Sequence, residues 1–197
     1  MPESKRRYLT PEEYLAIESV AEYKSEYFDG EMYALHGADY PHMRVASNLQ
    51  NILTPQLAES AFCLADDNFE LGNLPNGRPI KPDVTIIDRT GHSTYSTSAV
   101  ICRPRAVIEV LAPDTESDDR SRKFRHYKSH SSFSEYVLVA LESPSIERFH
   151  FFDGHWIWQE YEGLDATVPL TSVGCELRLR EVFEGTNFAI VSRHPPL

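Results

Sequence analysis

The spacing of hydrophobic residues predicts two helices in the first third of the chain. Thr10 and Glu13 form a T-x-x-E capping box around a proline at the first helical position, so we expect a helix over 11–19. A second helix is predicted from Pro41, and Pro55 is expected to kink or end it. Its hydrophobic residues recur every three or four positions. They are Met43, Val45, Ala46, Leu49, Ile52 and Leu53.

The rest of the pattern consists of short strands separated by turn residues. Asp-Gly pairs at 29–30 and 153–154 predict two hairpins, the second between strands over 145–152 and 155–161. The other predicted strands lie over 62–71, from Asp83 through the β-branched run that follows it, over 106–113, over 135–141 and within 175–185, where a short helix follows. A turn at 114–118 and a helix over 120–130 are predicted before the strand at 135.

The order of these elements is a helix, a hairpin, a second helix, several strands, a third helix and more strands. That order predicts an α/β protein (an α+β mixed sheet) with helices packed against the sheet. A chain of 197 residues suits one domain. We divide it into an N-terminal helix and hairpin (1–40), a core (41–140) and C-terminal strands with a helix (141–197).

The charge balance limits the kind of partner that the surface suits. The formal charge is −11, from 19 Lys and Arg against 30 Asp and Glu, which disfavours a protein covered by nucleic acid but allows a local basic groove. Three scattered cysteines, no leader and no membrane-length hydrophobic run predict a cytoplasmic protein with no membrane segment. The sequence contains no HExxH motif, Gly-rich phosphate loop or GxSxG elbow.

Two carboxylates occupy unusual places in hydrophobic runs. Asp83 opens the strand in KPDVTIID, and Glu109 lies inside AVIEVLAP. A charged residue in such a run is rarely left without a partner. One interpretation places Glu109 on the solvated face of an edge strand or pairs it with Arg105. The other brings Asp83 and Glu109 onto one divalent cation, since Mg²⁺ prefers carboxylate and carbonyl oxygens.

A basic segment follows the Glu109 strand. Lys123 and Tyr127 are four residues apart, so they share one face of the predicted helix. A lysine beside a metal-bound water can orient the water or stabilise charge on a phosphate. The neighbouring basic residues are candidates for contacts with nucleic acid. They are Arg120, Arg122, Arg125 and Lys128. The alternative is an ordinary solvated basic helix.

The segments PDV, VIEVLAP and DRSRKFRHY together resemble the PD-(D/E)XK nuclease superfamily and, most closely, the Uma-two family of putative restriction endonucleases. The likeness covers nearly the whole chain. It implies a restriction-endonuclease-like αβββαβ core with an added N-terminal helix and hairpin and a C-terminal β-hairpin. It also implies Mg²⁺-dependent hydrolysis of DNA, with Mn²⁺ as an alternative metal. Asp83, Glu109 and the backbone carbonyl of Val110 would hold the metal.

The chain departs from the superfamily pattern at one position. The lysine that usually follows the second acid by two residues would fall at Leu111. In the Uma-two family the lysine matches Lys123, so the resemblance makes Lys123 the catalytic base or charge stabiliser. Tyr127, His42 and Glu31 are secondary candidates. A histidine at a helix start more often caps or packs, and a glutamate in a hairpin is more often solvated.

Two other functions fit the same residues. A nuclease fold that has lost cleavage would be a nucleic-acid-binding or assembly module, and a metal-dependent hydrolase would act on small phosphodiesters. Cleavage of both DNA strands is simplest with two sites related by a two-fold axis, so we expect a homodimer. Phe151, Trp156 and Trp158 are the residues that we expect in its interface.

Overall fold

The computed structural model describes residues 8–20, 25–28, 30–34, 40–65, 70–71, 80–89, 100–101, 103–113 and 115–186. The first elements are α1 (Pro11–Glu18), β1 (Ser25–Phe28), β2 (Glu31–Ala34), α2 (Tyr40–Leu57), β3 (Phe62–Leu64), β4 (Glu70–Leu71), β5 (Val84–Asp88), β6 (Val100–Ile101) and β7 (Pro104–Val110). They are followed by α3 (Glu116–Asp118), a π-helical segment (Asp119–Lys123), α4 (Phe124–Tyr127), β8 (Glu135–Val139), β9 (Ser145–Phe152), β10 (His155–Glu162), β11 (Thr167–Leu170), β12 (Cys175–Arg178) and α5 (Leu179–Val182).

The N-terminal helix and hairpin form where the sequence predicts them. Thr10 Oγ1 accepts a hydrogen bond from the Glu13 N–H at 3.2 Å, and Glu13 Oε2 accepts one from the Thr10 N–H at 2.9 Å, which completes the capping box. Between β1 and β2, Gly30 has a φ of +83°, a conformation that glycine adopts without strain. Asp29, the other residue of the predicted turn, lies outside the described residues.

A six-stranded sheet forms the centre of the structure, in the order β10-β9-β8-β7-β5-β3. β7 and β8 run parallel, and the other neighbouring strands of this sheet run antiparallel. A parallel pair needs a crossover connection, which the helical segments between β7 and β8 provide. The prediction of a mixed sheet is therefore confirmed.

Helices cover both faces of the sheet. On one face, α2 buries Val45, Leu49, Leu53 and Leu57, which recur every fourth residue. On the other face, Tyr127 of α4 lies in a second hydrophobic cluster with side chains from β7 and β8. The central strands are buried on both faces, which explains why their sequences are nearly continuous hydrophobic runs.

Three predicted boundaries can be compared with the structure. The turn predicted at 114–118 is wrong, because Glu116–Asp118 form α3; Asp114 lies outside the described residues. Acidic residues in a first helical turn favour the helix, since its N-terminus carries a partial positive charge. Pro55 lies within α2, which ends two residues later. The strand predicted over 62–71 is described only as β3 and β4, and 66–69 lie outside the described residues.

The C-terminal hairpin of β9 and β10 turns at Asp153 and Gly154, which have φ values of 48° and 79°, as a type I′ turn requires. Trp156 packs edge-on against Phe124, with ring centroids 5.2 Å apart, and is a partly buried neighbour of the second cluster; its place in a dimer interface stays a prediction. Phe151 and Trp158 are 47% and 53% exposed, and their place in a dimer interface stays a prediction. Among the described helices, none is long and apolar enough to cross a membrane.

Candidate active site

Two carboxylates reach the same place from neighbouring strands. Asp83 immediately precedes β5 and Glu109 lies in β7, and the two strands pair with Val84 opposite Ile108. The Asp83 N–H donates to Glu109 Oε2 at 3.4 Å, and the Val110 N–H donates to Asp83 Oδ2 at 2.8 Å. The register of one strand pair therefore brings Asp83, Glu109 and Val110 together.

Glu109 lies inside the protein, whereas Asp83 borders the surface. The Glu109 side chain is 3% exposed and that of Asp83 is 23% exposed. Because β7 lies between β5 and β8, the interpretation of Glu109 as a solvated residue on an edge strand is wrong. Arg105, the alternative partner, donates to the Ser172 carbonyl instead. A carboxylate this deeply buried needs other partners.

The partners of Glu109 come from the helical segments after β7. The Tyr127 hydroxyl donates to Glu109 Oε1 at 2.6 Å, and Lys123 Nζ lies 3.4 Å from the same oxygen. Both side chains are buried. Their spacing of four residues places them on one helix face, so a single face delivers an ammonium and a hydroxyl to the carboxylate.

Asp119 also belongs to this cluster, and the sequence analysis missed it. Its Oδ1 lies 2.7 Å from Lys123 Nζ, and its Oδ2 accepts a hydrogen bond from Thr115 Oγ1 at 3.0 Å. Burial raises the pKa of the Asp119 carboxyl, while Lys123 and Thr115 act against this rise and the charge of Asp83 adds to it. The signal that could have revealed Asp119 is its spacing of four residues from Lys123.

His42 approaches Asp83 from the first turn of α2. Its Nε2 lies 3.4 Å from Asp83 Oδ2. The pKa of His42 is raised. Burial lowers it, but the hydrogen bond and the charge of Asp83 raise it by more. The Val110 backbone and Asp119 add smaller effects in the same direction. Glu31 lies at the start of β2, and its assignment to the site stays a prediction.

The basic residues of the helix are partly neutralised by nearby carboxylates. Arg120 Nε lies 2.7 Å from Glu116 Oε1, and Arg120 also pairs with Glu147 across to β9. Arg122 pairs with Asp118, one turn earlier.

The other two predicted nucleic-acid contacts are Arg125, which is exposed, and Lys128. Lys128 Nζ lies 4.4 Å from the centroid of the Phe124 ring. The role of all four basic residues in binding nucleic acid stays a prediction.

The charges and donor atoms of the site suit a hard cation. Three carboxylates lie together here: Glu109 and Asp119 pair with Lys123, and Asp83 pairs with His42. Among the described residues, no three His, Cys, Asp or Glu side chains converge as a ready metal site. A cation here would have two carboxylates, the Val110 carbonyl and water as ligands, a set that Mg²⁺ commonly accepts because it retains several waters.

Comparisons with known proteins show which chains this protein resembles. The Uma2 family model, described as "Putative restriction endonuclease", matches residues 11–180. Two uncharacterized proteins of Synechocystis are similar. The chain is 31% identical to slr1290 over 183 residues, which covers 91% of this chain and 94% of that protein. It is 26% identical to sll1609 over 166 residues, which covers 84% and 94%.

A solved structure has the same fold. It is described as a putative nuclease belonging to DUF820 from Anabaena variabilis. The superposition has a TM-score of 0.72 at 15% identity and covers 87% of this chain and 96% of that one. The prediction of a restriction-endonuclease-like mixed fold is confirmed.

Proposed function

The chain belongs to the Uma2 family of putative restriction endonucleases, and from this premise we propose that it hydrolyses phosphodiester bonds of DNA in a Mg²⁺-dependent reaction. The observation that carries the proposal is the meeting of Asp83 and Glu109 across adjacent strands, with Lys123 beside Glu109. An acid pair with a lysine is the chemistry that metal-dependent cleavage of a phosphodiester needs, because it supplies both cation ligands and a positive charge.

Asp83, Glu109 and the Val110 carbonyl are the proposed ligands, with Mn²⁺ as a substitute metal. A bound Mg²⁺ would polarise the phosphoryl oxygen and activate water. Lys123 lies between the carboxylates of Glu109 and Asp119, which both face its Nζ. We therefore assign Lys123 to the stabilisation of negative charge on the phosphate rather than to proton abstraction.

Tyr127 and His42 would support the ligands. The Tyr127 hydroxyl fixes Glu109 Oε1 and leaves Oε2 on the Asp83 side of the carboxylate. His42 lies beside Asp83 on the more exposed side of the site.

We also propose a homodimer. The exposed rings of Phe151 and Trp158 provide apolar area for it, and Trp156, which is partly buried against Phe124, borders them.

A second candidate is the hydrolysis of small phosphodiesters. Arg120 and Arg122 are ion-paired with carboxylates of the same chain, so they offer less positive charge to a polyanion than their number suggests. A small diester would need only the metal ligands and Lys123.

The two candidates differ in substrate and in salt dependence. We would incubate supercoiled plasmid in MgCl₂ with the wild type and with two variants. Glu109→Gln is the variant expected to be inactive. Glu176→Gln, at an exposed position on β12, is the control. We expect nicking by the wild type and by the control, abolished by EDTA and absent in Glu109→Gln. Salt-insensitive hydrolysis of bis(4-nitrophenyl) phosphate without nicking would favour the small-substrate candidate. Activity retained in Glu109→Gln would exclude both.

A further inference from the structure

Asp119 is a buried acid in the middle of a helical connection, where the fold alone does not require a charge. Its side chain is 2% exposed. Burying a carboxylate costs free energy unless it is paired and hydrogen-bonded. Apart from its contact with Lys123, Asp119 Oδ1 has no hydrogen-bond partner among the described residues. Among the described residues, Oδ1 of Asp119 therefore contacts only Lys123.

The backbone and side chain of Asp119 are both fixed. Thr115 Oγ1 donates to Asp119 Oδ2 at 3.0 Å, and the buried Tyr136 hydroxyl of β8 donates to the Asp119 carbonyl at 2.9 Å. Because Tyr136 lies in a central strand, Asp119 is tied to the same sheet that carries Glu109.

Asp119 and Lys123 are the first and last residues of the π-helical segment. A π-helical turn is wider than an α-helical one and is frequent at functional sites. Here it spans Asp119–Lys123 and leads directly into α4, so Asp119, Lys123 and Tyr127 follow one another at four-residue spacing. All three side chains are buried. Lys123 and Tyr127 contact Glu109, and Asp119 contacts Lys123.

A neighbouring ion pair shows that this burial is not a general property of the helix. Asp118 and Arg122 have the same four-residue spacing, but their side chains are 28% and 30% exposed. Pairs of that kind contribute little to stability. The buried pair one residue further along instead connects to the candidate ligand Glu109.

We propose that Asp119 is a positioning residue that holds the ammonium of Lys123 in place beside Glu109. Lys123 Nζ is closer to Asp119, at 2.7 Å, than to Glu109, at 3.4 Å. Asp119 thereby holds the ammonium of Lys123 near Glu109 and prevents a shorter contact with the Glu109 carboxylate. This inference rests on the proposed function for its consequence in catalysis, but the position of Lys123 can be tested separately.

The test is the reactivity of Lys123 in the folded protein towards an amine-acylating reagent, measured by mass spectrometry of peptides after the labelled protein is digested. In Asp119→Asn the labelling rate of Lys123 should rise by about tenfold or more, the factor expected for the loss of one charge-assisted hydrogen bond. Asp118→Asn is the matched control and should leave the rate unchanged. Equal labelling of Lys123 in Asp119→Asn and the wild type overturns the proposal, whether or not the protein cuts DNA.

The kinetic constants kcat and KM provide a second test, because a purely structural role of Asp119 would not change them in this pattern. In the plasmid assay, Asp119→Asn should lower kcat by about 10- to 100-fold, as expected for residues that orient a catalytic group. KM should stay within about twofold, because Asp119 does not touch the substrate in this account. A raised KM with unchanged kcat contradicts the proposal. If Asp119→Asn does not fold, Thr115→Val removes the hydrogen bond that orients Asp119, and unchanged labelling of Lys123 in that variant overturns the proposal equally.

Discussion

Replacing Asp83 with asparagine removes one charge from the candidate site and keeps the shape of the side chain. The asparagine carbonyl can still accept the Val110 N–H, which donates to Asp83 Oδ2 at 2.8 Å. The ion pair with His42 is lost, which costs about 1 kcal/mol for a partly exposed pair. Loss of the repulsion from Glu109 and Asp119 offsets a similar amount. The free energy of unfolding of the metal-free variant should therefore lie within about 1 kcal/mol of the wild type.

The Tm values of the wild type and of Asp83→Asn should differ when a metal is added. A cation that binds only the folded state stabilises it by about 2.7 kcal/mol at a concentration one hundred times its Kd. For a domain of this size, 1 kcal/mol shifts Tm by about 2–4 °C, so saturating Mg²⁺ should raise the Tm of the wild type by about 5–10 °C. Asparagine is a poor ligand for a hard cation, so Asp83→Asn should gain less than about 2 °C.

The assay is scanning calorimetry of both proteins in EDTA and in saturating MgCl₂. Asp88→Asn, which removes a charge from the opposite end of β5, is the control and should gain as much from Mg²⁺ as the wild type. An equal gain in Asp83→Asn would show that Asp83 is not a ligand. If the wild type gains nothing and Asp83→Asn melts clearly lower in EDTA, Asp83 is a structural residue.

Three further outcomes test other contacts. Tyr127→Phe removes the hydroxyl that donates to buried Glu109 at 2.6 Å and should lower the free energy of unfolding by about 1–2 kcal/mol in urea denaturation; an unchanged value would contradict this contact. Arg148→Met removes the charged partner of the buried Glu135 carboxylate, which keeps its hydrogen bonds from Ser172, and should cost about 3 kcal/mol by the same measurement; a loss below about 1 kcal/mol would refute this. Burial lowers the pKa of His130, so the unfolded chain takes up a proton that the folded chain disfavours, and wild-type stability falls as pH decreases below 6.5. The Tm of His130→Asn relative to the wild type should therefore increase from about pH 8 to about pH 5, and a constant difference would exclude this effect.

The hydrophobic pattern predicted the mixed sheet because the central strands are buried on both faces and read as continuous apolar runs. It also drew attention to Asp83 and Glu109, since a carboxylate in such a run needs a partner. The partners themselves depend on strand register. Only the pairing of Val84 with Ile108 shows that Asp83 and Glu109 meet, and no local pattern specifies that pairing.

Asp119 was not predicted as a site residue because the predicted helix began after it. The structure starts the helical segments at Glu116 and winds Asp119 into a π-helical turn, which local propensity does not indicate. The basic cluster was overestimated for a related reason. Its arginines were counted as free charge, although Glu116 lies four residues before Arg120 and Asp118 lies four residues before Arg122.

Buried side-chain pairs across the sheet were not predicted from the sequence either. Arg148 of β9 bonds Glu135 of β8 and Thr171, which follows β11, a strand that the sequence pattern did not predict. Such contacts follow from the packing of the sheet, since each of these residues taken alone looks like an ordinary polar position in a strand or turn.

The central claim is that Asp83, Glu109 and the Val110 carbonyl hold one divalent cation. The most direct measurement is an anomalous difference map from a crystal of the wild-type protein soaked in MnCl₂. We expect one strong peak within about 2.2 Å of a carboxylate oxygen of Asp83, a carboxylate oxygen of Glu109 and the carbonyl oxygen of Val110. A map with no peak between Asp83 and Glu109 at saturating Mn²⁺, or with the metal bound elsewhere, would contradict the account.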